Sequence, residues 1–97
     1  MEPLDIEKAK EVLNELKLFL KEYHVVYFLT FNGKFSLNIY KDDTKNELLF
    51  QEFITTELLL QADRKLLFGS IAHDLINVES KKIAITNLKP PLMTRDL

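Results

Sequence analysis

Apolar residues recur with two different periods along this chain, and the periods divide it into elements. From Ile6 onward, Ala9, Val12, Leu13, Leu16, Phe19, Leu20 and Tyr23 follow at three- and four-residue steps. They fall within an arc of about 140° at 100° per residue, the signature of an amphipathic helix. Asp5 is suited to cap that helix, and Leu4 before it can staple onto Ala9. The pattern predicts a helix from about residue 6 to about residue 22. Its polar positions segregate: Glu7, Glu11, Glu15 and Glu22 along one flank, Lys10, Lys17 and Lys21 along the other.

The period then changes to two. In the stretch VYFLTFNGKFSLNIY, residues 26 to 40, Asn32-Gly33 stands between two strand-like runs. A type I′ turn at Asn-Gly, which needs φ > 0 at both residues, sets Phe31 opposite Lys34, Phe28 opposite Leu37 and Val26 opposite Ile39. One face of that hairpin collects Val26, Phe28, Phe35, Leu37 and Ile39 with Thr30, and is expected to pack on the first helix. The other collects Tyr27, Leu29, Phe31 and Tyr40 beside Lys34, Ser36 and Asn38.

Residues 46 to 60 carry two signals. Thr44 to Glu47 fits a capping box, which favours a helix. Leu48, Phe50, Ile54, Thr56, Leu58 and Leu60 alternate with polar residues, which favours a strand, although Leu49, Glu52 and Phe53 interrupt the alternation. A third antiparallel strand is the favoured reading. Asp63 then opens a second helix whose apolar side is Leu67, Phe68, Ile71, Ala72, Leu75 and Val78. KKIAITNL, residues 81 to 88, reads as a fourth strand stopped by Pro90 and Pro91. The expected order is α-β-β-β-α-β: an α+β fold with an antiparallel sheet and two helices, in one small domain spanning 1–97. Its ordered core runs from about 5 to about 89, with a loose tail at 92–97.

Composition narrows the chemistry more than it widens it. The 97 residues are 46% hydrophobic and 29% charged, the balance of an ordinary globular domain. A net charge of −2 gives no global field for nucleic acid or membrane. No apolar run reaches the length of a membrane span. The absence of cysteine excludes disulfides, thiolate catalysis and cysteine-ligated zinc. With the acidic start MEPLD, unlike a signal peptide, this reads as a cytoplasmic protein. Two glycines, Gly33 and Gly69, are too few for a phosphate-cradling loop.

No catalytic constellation forms. Ser70, His73 and Asp74 share a helix, but adjacent His73 and Asp74 point about 100° apart, which is poor geometry for a triad. Asp42, Asp43, Thr44 and Asn46 lack the glycine and distal glutamate of a calcium loop and read as a turn. No metal, cofactor or small-molecule site is expected. Basic residues gather at Lys34 and Lys41 near the hairpin ends and at Arg64 and Lys65 opening the second helix. The order α-β-β-β-α is similar to that of double-stranded-RNA-binding domains. Their lysine-rich start to the last helix is replaced here by DRKLLFGS.

These observations point to a non-enzymatic protein-interaction module or small accessory protein, most simply a homodimer. Its interface would be the exposed aromatic hairpin face: Tyr27, Leu29, Phe31 and Tyr40. The opposing expectation is that helix or tail covers that face. The alternative function is single-stranded nucleic-acid binding through the hairpin aromatics, with Lys34, Lys41, Arg64 and Lys65 as contacts.

Overall fold

The computed structural model describes the backbone of residues 3–95 and the side chains of residues 4–82. The elements are α1 (Pro3–Phe19), β1 (His24–Leu29), β2 (Lys34–Tyr40), β3 (Leu48–Thr55), α2 (Thr56–Gln61) and α3 (Arg64–Arg95). The class is α+β, with an antiparallel three-stranded sheet in the order β1-β2-β3.

Helix α1 forms where the 3.6 period predicted it, but starts at Pro3 rather than after a cap at Asp5. Proline fits a first helical turn, where its missing N–H has no intrahelical partner to lose. Ala9, Val12, Leu13, Leu16 and Leu20 are buried. They meet Val25, Phe35, Leu37, Ile39, Leu49 and Ile54 of the sheet, Leu59 of α2, and Phe68, Ile71 and Leu75 of α3 in one core. All three helices therefore contribute to a single layer over one face of the sheet.

The hairpin register differs from the expected one by a single residue. Leu29 faces Phe35, Tyr27 faces Leu37 and Val25 faces Ile39. The turn holds three residues instead of two. The Gly33 N–H donates to the Thr30 carbonyl (3.2 Å), and the Thr30 N–H donates to the Lys34 carbonyl (2.8 Å). Gly33 has φ 81°, whereas Asn32 is not in the left-handed region. This is a type I turn closed by a glycine bulge, not a type I′ turn. Because side chains alternate, the slip exchanges the two faces of β1. Val25, Tyr27 and Leu29 lie on the helix side, and Val26 and Phe28 on the other. The β2 assignment stands, with Phe35, Leu37 and Ile39 all fully buried. Strand β1 is apolar on both faces, so hydrophobic pattern alone does not fix its register and the turn decides it.

Two further expectations, the extent of the third strand and the existence of a fourth, are corrected. The third strand forms, but ends at Thr55, short of residue 60. The Thr55 hydroxyl accepts the Leu58 N–H (3.1 Å) and caps α2. The Thr44–Glu47 capping box opens no helix. Asp42 instead accepts the Thr44 N–H in a loop turn (3.0 Å). The fourth strand expected at 81–88 is helical, because α3 runs through to Arg95. Between Val78 and Ile83 the sequence is ESKK, with no glycine, proline or turn dipeptide to stop a helix already propagating. Helix α3 includes residues 92–95 of the expected tail, and residues 96–97 lie outside the described residues.

If the glycine bulge sets the register, Gly33→Ala should lower stability by about 1 kcal/mol, since a Cβ is strained at that φ. Asn32→Ala should cost less than about 0.5 kcal/mol. Urea unfolding of both variants checks this, because a type I′ turn would penalise the two substitutions alike.

Candidate functional site

With the helices layered on one side, the other face of the sheet has no covering element among the described residues. Register sorts its members. Phe28, Ser36 and Phe53 line up across the three strands, and the next row is Val26, Asn38 and Gln51. Phe28 is 55% exposed and Phe53 63%. Between them Ser36 is buried, as is Asn38, because small side chains on the central strand sit below larger neighbours. The polar row is internally satisfied: the Asn38 amide donates to the Ser36 hydroxyl (3.1 Å), and the Gln51 amide donates to Asn38 Oδ1 (2.8 Å). At the hairpin end, Phe31 projects fully into solvent from the turn. With Thr30, Lys34 and Phe53 it lines a shallow groove of about 310 Å³.

The four residues expected to form an interface are thus separated. Tyr27 lies on the helix side, where its hydroxyl donates to Asn14 Oδ1 of α1 (2.8 Å) and its ring meets Phe35 edge-on at 6.0 Å. Leu29 shares that side at the β1 edge and is partly exposed. Phe31 caps the hairpin. Tyr40 is on the open face by register, beside His24, with ring centroids 6.3 Å apart. Phe28, expected on the helix side, and Phe53, assigned to neither hairpin face by the sequence pattern, are the exposed aromatics of the open face instead. Phe53 had left a trace, because it broke the alternation of β3 with an apolar side chain on the wrong face.

The four basic candidates are dispersed too. Lys41 pairs with Glu79 at 3.0 Å, and Arg64 pairs with Glu15 of α1. Arg64 and Lys65 open α3, on the helix layer, and only Lys34 lies on the open face. His24 starts β1, whereas His73 is exposed on α3. Among the described residues no group of three histidines or carboxylates is arranged to hold a metal. Nor is any helix among them long and apolar enough to cross a membrane.

One polar cluster closes the far end of the sheet. The Tyr23 hydroxyl, just before β1, donates to Glu79 of α3, and the Lys41 ammonium, just after β2, donates to the other oxygen of the same carboxylate. Lys82 and Glu47 add a second link from α3 to the loop before β3. The hydrogen bond to Glu79, then burial, pushes the Tyr23 phenol up to about 12. Donation from Tyr23 and then from Lys41 holds Glu79 below its usual value. Asp42 is likewise lowered, by the Thr44 hydroxyl and N–H. These are the marks of a clasp between elements.

Compared with known proteins, the chain matches no family model, no curated relative and no solved structure.

The clasp has a defined pH window. A raised phenol pKa contributes stability that is present below pH 10 and lost as pH rises through about 12. A lowered carboxyl pKa contributes stability that is present above pH 4.5 and lost as pH falls further. Denaturation midpoints measured against pH should therefore fall on both sides of that window. Tyr23→Phe should flatten the alkaline limb and Glu79→Gln should flatten part of the acid limb.

Proposed function

We propose that this protein is a non-enzymatic interaction module that self-associates through the open face of its sheet. The observation that carries this reading is the composition of that face. In a chain that is 29% charged, the face presents Phe28, Phe53 and, at its rim, Phe31, with a single formal charge at Lys34. Depletion of charge together with exposed aromatics is the compositional mark of an interface core. A second copy is the simplest occupant, since a twofold axis lets one such patch cover another. The hydrogen-bonded row of Ser36, Asn38 and Gln51 supports the same reading, because it leaves few polar groups to be stranded on contact. A cytoplasmic location accords with the cysteine-free composition.

Single-stranded nucleic acid is the second reading. Aromatic rings on a sheet face can stack with bases, and Phe28 and Phe53 are placed on such a face. Charge weighs against it: of the four cations a polyanion would use, Lys41 and Arg64 are already paired.

Light scattering separates the readings. At micromolar concentration the protein should have twice its 11.4 kDa chain mass, and Phe53→Glu or Phe31→Glu should return it to one chain. A monomeric wild-type protein that binds oligonucleotides with affinity falling steeply in salt would replace this reading with the second.

A further inference from the structure

The two charged flanks of α1 do not have equivalent surroundings. Glu15, on the acidic flank, reaches Arg64 of α3. Two residues of the basic flank, Lys10 and Lys17, lie beside the edge of β1 instead. They line a groove of about 500 Å³ between α1 and that edge, floored by Val25, Tyr27 and Phe35; Lys10 also pairs with Glu7 on its own helix, at 3.8 Å. The Lys17 ammonium stands 5.9 Å from the centre of the Tyr27 ring.

Among the described residues no strand pairs with that edge. The Thr30 N–H donates to the Lys34 carbonyl, so residues 28, 26 and 24 direct their backbone groups toward β2. Alternation turns the N–H and C=O of Val25, Tyr27 and Leu29 outward. Edge strands are ordinarily guarded by charge, proline or a bulge. Strand β3, the opposite edge, has Glu52 and a register slip against Ile39 and Tyr40. Strand β1 reads HVVYFL and has none of these.

We propose that this groove receives an extended, acidic segment of a partner protein, added antiparallel or parallel to β1 as a fourth strand. Backbone pairing to Val25, Tyr27 and Leu29 would hold the segment, and its carboxylates would meet Lys10 and Lys17. Charge decides against a second copy at this edge. Pairing β1 with β1 about a twofold axis brings two lysine flanks together, which is unfavourable. The site is distinct from the open face, and neither depends on the other.

The test uses the full chain and fluorescein-labelled peptides alternating valine with glutamate, or valine with lysine, read by anisotropy. The acidic peptide should bind at least about tenfold more tightly than the basic one. Its affinity should fall with salt and be lost when alternate peptide nitrogens are methylated. The Lys10→Glu/Lys17→Glu variant should bind it about tenfold more weakly, while Phe31→Glu/Phe53→Glu should bind it unchanged. Equal binding of the two peptides, indifference to N-methylation, or no binding at millimolar peptide overturns the proposal. So does a loss in the phenylalanine variant with none in the lysine variant, which assigns the peptide to the open face. A dimer that persists in the phenylalanine variant and ignores peptide places a second copy on the edge, and also overturns it.

Discussion

The parity of the β1–β2 hairpin decides what this molecule presents to its surroundings. A one-residue change in register leaves every backbone hydrogen bond available but exchanges all the side chains of one strand between core and solvent. Here the choice is made by Gly33, the turn residue whose φ is positive. Its bulge puts Tyr27 under α1 and sends Phe28 outward, and Phe28 is one half of the aromatic pair astride Ser36. The opposite choice would have buried Phe28 and exposed Tyr27. The turn also connects to the rest of the fold, because the Thr56 hydroxyl at the start of α2 donates to the Gly33 carbonyl (3.1 Å). The local geometry that selects the register is thus held in place by the element that follows the sheet.

Once parity is set, the charged residues serve to place the helices against the sheet. Glu15 and Arg64 link α1 to α3, while Glu79 gathers Tyr23 and Lys41 from the ends of two strands. Exposed pairs of this kind contribute little individually, on the order of 0–1 kcal/mol. Their effect here is positional, because a single carboxylate with two donors has one satisfactory arrangement. The same partition leaves Glu15 engaged with α3 and places Lys10 and Lys17 beside the β1 edge.

Much of this architecture was legible in the residues. The 3.6 period of α1, the buried side of β2 and the apolar stripe of α3 from Phe68 to Leu75 all follow from spacing, because each element has one unambiguous hydrophobic face. Legibility failed where both faces were apolar or where no punctuation stood. In β1, VVYFL offers two equally greasy faces, so its orientation rested on a turn whose length the dipeptide Asn-Gly does not uniquely specify. At residues 81 to 88, alternation in KKIAITNL suggested a strand, but a helix needs only the absence of a stop signal to continue. That one hairpin strand carries apolar residues on both faces was legible; which of them point away from the helices was not, because that is a matter of parity.

The same strand contributes to both exposed features. Strand β1 offers Phe28 to the open face and an unguarded backbone to the groove beside α1. A strand that is apolar on both faces and lacks any guarding residue is a hazard in a protein that must stay alone, since edge pairing and face stacking both lead to aggregation. Strand β3 has the ordinary protections, a bulge and an exposed carboxylate, so the chain is able to encode them. Their absence from β1 is most economically explained if β1 is the side on which the domain is completed by other protein, with the lysine flank of α1 favouring acidic strands there over a second copy of itself.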